Sequence, residues 1–415
     1  MAINKNKLSN MDIVNEILNK TEEELEKMPP VTILVAGKTG VGKSTLINGL
    51  FREKLATTGI GQPVTQHLQK IEKEGVPLTL YDTRGLELNP QVQEKVKDEI
   101  NKVFDETEGT ENEIYVTYYC INANSNRIED SEIDLITSIS KKMPVIIVLT
   151  QSIGRPAQEF KEYLEGMDLP AADIINVMAE DYRISDDVVI EQFGLKTLIA
   201  RTLDIIPDEA ERAFNNAQHA DIERKARSAR RWAKRYITAA FGVGFIPIPF
   251  SDASLLVPMQ ITLIAHITAI FGISLDKSKM LSIVAAVFGT TGATQAGRYI
   301  ASNLLKLVPG AGSLAGGTIS GATASMLTSA LAVSYIEVLS IVTKAEKSGR
   351  LDELPQIEDL MKIKLKEQIS RRSKSDDPAE LEYIEEDGDA KGIDMKEPSQ
   401  KQQTWIDKIK KRFKL

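Results

Sequence analysis

Residues 37–44 read Gly-Lys-Thr-Gly-Val-Gly-Lys-Ser and fit the pattern G-x-x-x-x-G-K-[ST]. The octapeptide follows an apolar run, Val31–Ala36, that is typical of a buried strand, and it precedes a helical pattern that starts near Lys43. The glycines let the backbone curl so that several N–H groups point at one phosphate. The sequence therefore predicts a strand, a phosphate-binding loop and a helix. The alternative is a chance glycine-rich turn between a core strand and a core helix.

Each residue of the loop has an expected task at a triphosphate. Lys43 is predicted to bring a mobile positive charge to the β- and γ-phosphates, and the Ser44 hydroxyl is predicted to ligate Mg²⁺. The N-terminus of the following helix adds its positive end. The nucleotide-binding residues predicted from this segment are Thr39, Gly40, Val41, Gly42, Lys43, Ser44 and Thr45.

Two downstream segments support this interpretation. An apolar strand pattern over 76–81 leads into Asp82-Thr83-Arg84-Gly85, where the acid can hold a metal-bound water and the glycine N–H can reach a γ-phosphate. Between the two motifs, Thr65 lies in a glycine-flanked loop and its hydroxyl can complete the Mg²⁺ shell, although such a stretch can also be only a polar loop. The predicted metal ligands are Ser44, Thr65 and Asp82. The predicted catalytic set is Lys43, Thr65, Asp82 and Gly85.

The order of these three motifs resembles that of the Era-like and septin-like GTPases of the P-loop class. The resemblance covers residues 31–206 and implies an α/β G domain, with a mostly parallel sheet and helices on both faces. The alternation of apolar strand runs and helical patterns along this stretch predicts the same α/β architecture independently. The resemblance further implies GTP as ligand, Mg²⁺ as cofactor, and switching of the loops around Thr65 and 82–87 with the γ-phosphate.

The base-reading motif departs from that family. Where the family carries [NT]-K-x-D after an apolar strand, this chain has Thr150-Gln151-Ser152-Ile153. Gln151 replaces the lysine, and Ile153 replaces the aspartate that would pair with guanine. Thr150 and Gln151 can still line the base, and Ala179 is the expected contact in a second base loop. GTP is the expected ligand, with ATP or loose specificity as the alternative.

A second departure concerns hydrolysis. Ras-type enzymes carry a glutamine just after D-x-x-G to orient water, and here that position is Leu86. Gly40 stands where potassium-activated members carry asparagine. Arg84 and Arg127 are the nearby arginines that can act as a finger. We therefore predict slow intrinsic hydrolysis, which becomes faster on self-association through the G domain or with a partner.

Composition limits the other classes of function. The formal net charge is −8 and the sequence pI is about 5.3, which disfavours general nucleic-acid binding because phosphate neutralisation needs clustered Lys and Arg. Cys120 is the one cysteine, so no intramolecular disulfide forms. The opening residues lack the apolar core of a signal peptide, and we expect the G domain in the reducing cytoplasm.

The second half of the chain is apolar and rich in small residues. A basic helix over 207–236 is predicted to lead into it. Ala253–Phe271 and Leu307–Ile336 contain no charged residue and are long enough to span a bilayer, and the flanking basic helix favours a cytoplasmic side. His266 is interpreted as a packed helix residue. A soluble bundle whose helices are buried all round is the alternative to a membrane-associated domain.

A second resemblance supports the membrane. Residues 244–252, Gly-Phe-Ile-Pro-Ile-Pro-Phe-Ser-Asp, precede an apolar helix with Pro258 and Gln260. This pattern resembles an uncharacterised hydrophobic domain that is often fused behind Era-like GTPases in bacteria and is regarded as membrane-associated. It covers about 225–342 and implies no catalytic residue. The last residues, with Trp405 among lysines, predict a basic amphipathic helix that favours anionic lipid.

The predicted organisation has six parts. They are an N-terminal helix (1–30), a G domain (31–206), a basic connecting helix (207–236), a hydrophobic helical, membrane-associated domain (237–345), a charged helix with an acidic linker (346–403) and a basic amphipathic tail (404–415). The predicted function is a slow GTPase that acts as a nucleotide-dependent switch at a membrane. The alternatives are a soluble regulatory GTPase whose helical bundle binds a protein partner, and a nucleotide-binding module with little turnover. Expected partners are GTP or GDP, membrane lipid and a second copy of the chain, without nucleic acid.

Overall fold

A computed structural model describes most of the chain. The described residues are 9–51, 55, 60–65, 67–83, 90–185, 187–243, 252–273, 275–288, 321–350 and 353–372. They fall into two compact units. Among the described residues, the α/β unit runs from Met28 to Asp221, and the helical unit combines the N-terminal segment up to Lys27 with residues from Ile222 to Arg372. Gly85, the motif at 244–251 and the tail at 404–415 lie outside the described residues.

The strands of the α/β unit form a sheet and a small hairpin. The sheet strands are β1 (Val31–Ala36), β2 (Ile60–Pro63), β3 (Leu68–Lys73), β4 (Val76–Thr83), β5 (Ile114–Asn122), β6 (Val145–Thr150) and β7 (Asp173–Asn176). Their order is β2-β3-β4-β1-β5-β6-β7. The strands from β4 to β7 run parallel, whereas β3 is antiparallel to β4 and β2 to β3. The hairpin pairs β8 (Tyr182–Arg183) with β9 (Val189–Ile190). The predicted mostly parallel α/β sheet is confirmed.

The described α-helices belong to one unit or the other. In chain order they are α1 (Asn10–Glu26), α2 (Lys43–Leu50), α3 (Pro90–Thr107), α4 (Asp130–Ser140), α5 (Gly154–Gly166), α6 (Leu195–Leu203), α7 (Asp208–Ala217), α8 (Ile222–Val243), α9 (Asp252–Phe271), α10 (Lys277–Phe288), α11 (Gly321–Lys347) and α12 (Ile357–Arg372). Helices α2 to α7 lie in the α/β unit. Helices α1 and α8 to α12 lie in the helical unit.

The central strands are buried on both faces. Every residue of β1 and of β6 is buried, which is expected when helices cover both sides of a parallel sheet. Val96 of α3, Ile136 of α4 and Phe160 of α5 belong to one core cluster with inward residues of these strands. This packing fixes the carboxyl ends of β1, β4, β5 and β6 along one edge of the sheet.

The sequence analysis missed strands β2 and β3. β2 is the edge strand and β3 lies between it and β4, and both are mostly polar, so their local pattern favoured a loop. Leu68 and Ile71 are the buried residues of β3, and the antiparallel ladder with β4 makes this segment a strand. These segments are strands because they pair with other parts of the chain, and local composition does not reveal that pairing.

The stretch predicted as one basic helix at 207–236 is two helices, and this prediction was wrong. Helix α7 ends at Gln218, whose backbone is extended, and α8 begins at Ile222. The Gln218 side chain donates to the Asp221 carbonyl at 3.0 Å and accepts the Asp221 N–H at 2.9 Å. These bonds replace the helical ladder at the break. The Phe214 ring packs edge-on against Phe51 at 5.9 Å, which holds α7 in the α/β unit.

Helix α1 packs within the helical unit, although its sequence adjoins β1. Ser9 and Asp12 form a capping box at its start, and Ile13, Val14 and Ile17 enter the core of the unit. Near its end, Glu24 lies 2.7 Å from His266 of α9. The His266 ring also bonds to the Tyr236 hydroxyl, so His266 is a packed helix residue, as predicted.

Among the described residues, α11 is the helix with the length and composition of a membrane span, over Ser325–Lys347. Most of its apolar stretch is buried within its own unit. It overlaps only the end of the predicted span at 307–336, since 307–320 lies outside the described residues. The apolar part of α9, Pro258–Phe271, is shorter than a span.

We predict that truncating Ile17 to Ala destabilises the helical unit by about 3 kcal/mol, because its side chain is fully buried in the core of that unit. Met11→Ala on the same helix is the control, since Met11 is 44% exposed, and it should change stability by less than about 0.5 kcal/mol. Urea unfolding followed by Trp232 fluorescence in a Trp405→Phe background measures both. Equal effects of the two substitutions would contradict the packing of α1 in this core.

Candidate nucleotide-binding site

The loop between β1 and α2 takes its shape from glycines and a close strand. Gly37 has φ +139° and Gly42 has φ +96°, and Gly42 caps the start of α2. A Cβ atom added at Gly37 would meet the backbone carbonyl of Cys120 on β5 at a distance that real Cβ atoms do not show. The backbone of the loop is thus held against the neighbouring strand, and the N–H groups at the start of α2 face outward from this edge.

Lys43 spans the loop. Its ammonium donates to the Gly37 carbonyl at 2.7 Å and to the Lys38 carbonyl at 3.0 Å. Burial raises the pKa of the nearby Cys120 thiol to about 12, while the charge of Lys43 acts to lower it and that of Asp82 to raise it. The charges of Lys43 and Asp82 therefore both affect Cys120, the residue of β5 that lies against the loop. A cation and an acid near the same strand residue suit a phosphate with a metal.

Lys38 anchors the loop to α4. Its ammonium lies 2.8 Å from Glu129 and 3.1 Å from Glu132. Burial lowers the pKa of Lys38, but the two carboxylates outweigh it, so the pKa lies above its ordinary value. The sequence analysis missed this pair of acids. The available signal was the capping-box spacing of Glu129 and Glu132 at the start of α4.

Thr150 braces the loop from β6. Its hydroxyl bonds to the carbonyl of Val41 in the loop and to that of Ile121 on β5, the latter at 3.1 Å. The residue is buried. Its described contacts are with the backbone of the loop, so it fixes the position of Val41. A direct contact of Thr150 with a base remains a prediction.

Gln151 follows Thr150 in a left-handed conformation, with φ +52°. Asn122, at the end of β5, donates to its side-chain oxygen at 3.2 Å, and Asn124 donates to its backbone carbonyl at 2.9 Å. Its amide nitrogen lies 3.6 Å from the position of a Cβ at Gly42. The structure therefore brings Gln151 to the flank of the loop, and its contact with a base remains a prediction. The structure also adds Asn122 and Asn124, which the motif analysis did not single out.

The metal-side residues lie along the same edge. Asp82 pairs with Val35 in the parallel ladder, and the exposed Ser44 lies in the first turn of α2. Thr65 is brought to this edge because the adjoining β3 starts with Leu68 opposite Thr83. The Thr65 hydroxyl, however, bonds to Glu99 of α3, which also accepts the His67 N–H at 3.1 Å.

This set of oxygen donors fits Mg²⁺. Within the described part of the chain, no group of three or more His, Cys, Asp or Glu side chains could hold a metal. Mg²⁺ is commonly held by one or two carboxylates, hydroxyls and the phosphates of the substrate. The predicted ligands Asp82 and Ser44 carry oxygen donors of this kind at the same edge of the sheet, and their metal role remains a prediction. The described contacts of Thr65 do not bring it to them, so its metal role remains a prediction.

Of the other predicted site residues, Ala179 packs against α2, and Gly85 is outside the residues that the structure describes. Ala179 follows β7 and packs on α2 at Gly49, where an added Cβ would meet the Ala179 backbone. Its described contacts are with the second half of α2, and its part in base binding remains a prediction. Gly85 lies outside the described residues, together with Arg84 and Leu86.

A mostly parallel sheet with a phosphate loop after β1 and an acid ending β4 defines a P-loop GTPase domain. Residues 32–151 match the family model described as 50S ribosome-binding GTPase, and residues 209–366 match the model of a domain of unknown function, DUF697. The chain therefore carries a P-loop GTPase domain of the first family with a DUF697 domain behind it. The predicted resemblance is confirmed.

Several known proteins are similar to parts of the chain. GTPase Der of Ruegeria sp. (strain TM1040) is 36% identical over 92 residues, which cover 20% of this chain and 18% of that protein. Magnetosome membrane protein 22 of Magnetospirillum gryphiswaldense is 29% identical over 88 residues, 21% of this chain and 45% of that protein. A probable GTP-binding protein engB superposes with a TM-score of 0.28 at 20% identity, covering 42% of this chain and 97% of that one. The chain spans about half or less of the length of the curated relatives it matches.

We predict that Gly37→Ala lowers the free energy of unfolding of the α/β unit by about 3 kcal/mol or more, because strain at φ +139° adds to the clash with Cys120. Gly75→Ala is the matched control. Gly75 also has a positive φ, of +75°, but its Cβ would meet open space, so the expected loss is about 1 kcal/mol. The rate of Cys120 labelling by a thiol reagent in urea reports unfolding of this unit. Similar losses in the two variants would show that β5 does not press on the loop.

Proposed function

We propose that this chain is a slow GTPase whose nucleotide state switches the protein at a membrane. The observation that carries the nucleotide part is the loop at 37–44, with Lys43 across it and Asp82 at the adjacent strand end. The membrane part draws on the apolar composition of α11 and on the likeness to a magnetosome membrane protein.

In the proposed reaction the chain mainly positions charge. Outward N–H groups at the start of α2 receive the β-phosphate, and Lys43 exchanges its carbonyl partners for phosphate oxygens. Ser44 and Asp82 would hold Mg²⁺, which when bound neutralises charge on the phosphate oxygens. Binding thus follows from groups that the fold already holds in place.

Slow turnover follows from the residues around the attacking water. Leu86 has no polar group to orient it. Arg127, a candidate finger, extends toward Glu129 at 3.5 Å with 76% of its side chain exposed. Acceleration by self-association or by a partner would bring the missing donor into the site.

The switch that we propose is an exchange at Thr65. Its hydroxyl bonds to Glu99 of α3, a helix that follows the D-x-x-G segment. Ligation of a metal at the γ-phosphate by Thr65 would replace that bond. Nucleotide state would then control whether this loop is attached to α3.

A soluble regulatory GTPase is the second candidate, and the burial of α11 favours it. Along its polar side, Glu337 accepts from Gln368 of α12 at 2.6 Å and lies 3.1 Å from Lys364. Ser329 accepts from the buried Arg372 at 3.0 Å. Helix α12 thus satisfies the polar groups of α11 within the unit, as in a bundle that binds a protein partner.

We expect Lys43→Ala to weaken Mg²⁺-dependent GTP binding about 100-fold, since a charge-assisted contact to phosphate is lost. Lys161→Ala, on the surface of α5, should leave affinity unchanged. Calorimetry with GTP and Mg²⁺ measures both, and unchanged binding in the Lys43 variant would refute the site. Phosphate release from wild type, followed against protein concentration, separates a slow GTPase from a module without turnover.

Membrane association has its own test. We expect the full chain to float with vesicles of phosphatidylglycerol and phosphatidylcholine, and Trp405 fluorescence to shift to the blue in a Trp232→Phe background, because a basic segment with a Trp favours anionic lipid. Vesicles of phosphatidylcholine alone are the control and should give a weaker effect. Protein that stays in solution with both vesicles would favour the soluble candidate.

A further inference from the structure

The phosphate-binding loop has two flanks, and they limit where the base of a bound nucleotide can lie. The metal side of the loop is the β4 side, with Asp82 at the strand end. The opposite flank is formed by the ends of β5 and β6, where Asn122 and Gln151 lie. Phosphates held at the start of α2 therefore direct the ribose and base toward these two residues. This step rests on the nucleotide site proposed above.

The polar atoms on this flank have a defined direction. The Gln151 side-chain oxygen accepts from Asn122 at 3.2 Å, and the Asn122 side-chain oxygen accepts the Asn124 N–H at 2.9 Å. Both amide oxygens are therefore engaged. The Gln151 amide nitrogen lies toward Gly42 and makes no hydrogen bond within the described residues. The flank presents a hydrogen-bond donor beside the loop.

The next residues supply no acceptor in its place. The Ser152 hydroxyl is buried and donates to the Leu149 carbonyl at 2.8 Å. Ile153 is the N-cap of α5 and has an extended backbone and an apolar side chain. The N1–H and 2-amino groups of guanine need an acceptor such as a carboxylate, and at this position the segment provides the apolar sec-butyl side chain of Ile153.

When the site offers the Gln151 amide donor and no nearby carboxylate, it distinguishes purine bases by whether they present a hydrogen-bond acceptor to that donor. Guanine and hypoxanthine both carry O6, which accepts a hydrogen bond from an amide, whereas the acceptor N7 is common to all three purines and does not discriminate. Adenine carries a donor amino group at the position of O6, and two donors facing each other repel. The 2-amino group, which distinguishes guanine from hypoxanthine, would find no partner.

We propose that Gln151, oriented by Asn122, selects 6-oxopurine nucleotides as a class by donating to O6, and that the site does not read the 2-amino group. The chain binds guanosine and inosine nucleotides with similar affinity and adenosine nucleotides more weakly. Gln151 is then a specificity-determining residue. Asn122 is a positioning residue that acts through it.

Calorimetry of the full chain with Mg²⁺ and GDP, IDP or ADP tests this without interference from turnover. We expect GDP and IDP to bind within about threefold of each other and ADP at least about tenfold more weakly, since one hydrogen bond becomes a repulsion. GDP binding more than about 30-fold tighter than IDP overturns the inference while leaving the proposed function intact, as does ADP binding as tightly as GDP. Absence of binding by all three, in protein whose Cys120 stays protected, overturns the proposed function itself.

Two substitutions sharpen the result. Gln151→Glu keeps the size of the side chain but removes the donor, so GDP and IDP should weaken together by about tenfold and ADP should not. Ile153→Asp adds an acceptor at an N-cap, where Asp is well tolerated, and should raise the preference for GDP over IDP at least about tenfold. If Gln151→Glu leaves the GDP-to-ADP ratio unchanged in folded protein, Gln151 does not read the base.

Discussion

The site depends on the contact between the phosphate loop and the strand ends beneath it. Gly37 passes so close to the Cys120 carbonyl of β5 that no side chain fits, and Thr150 at the end of β6 bonds to the Val41 carbonyl. Two neighbouring strands, β5 and β6, therefore hold the loop that follows β1. A loop fixed in this way keeps its N–H groups oriented before a phosphate arrives, and preorganised donors avoid the cost of reordering on binding.

Within the described residues the chain passes between the two units at two points. The chain passes from one unit to the other between Lys27 and Met28, just before β1, and again between Asp221 and Ile222. The second crossing follows Gln218 and His219. The His219 N–H donates to the Leu50 carbonyl at the end of α2 at 2.9 Å. The helix that begins at the phosphate loop thus ends against the segment that leads into the helical unit.

Sequence patterns predicted the parallel strands and the loop because both are local. The 14 residues from Val31 to Ser44 contain an apolar run of strand length, a glycine-rich turn and the start of a helix. Strands β2 and β3 were missed, since their residues are mostly polar and their structure comes from the pairing of β2 with β3 and of β3 with β4. The helix predicted across 207–236 is broken at Gln218, where side-chain bonds to Asp221 replace the ladder, and composition does not reveal such a local exchange.

The sequence by itself determined the class of domain, the residues predicted to bind a phosphate and a metal, and the absence of a carboxylate at Ile153. These features depend only on residue type and spacing, which are local properties of the sequence and do not depend on the rest of the fold. Only the tertiary structure decided that α1 packs with the distant helical unit, that Thr65 is held by Glu99, and that Asn122 orients Gln151. Each of those contacts joins residues far apart in the chain. Their pairing depends on burial and packing summed over the whole fold, which no local pattern encodes.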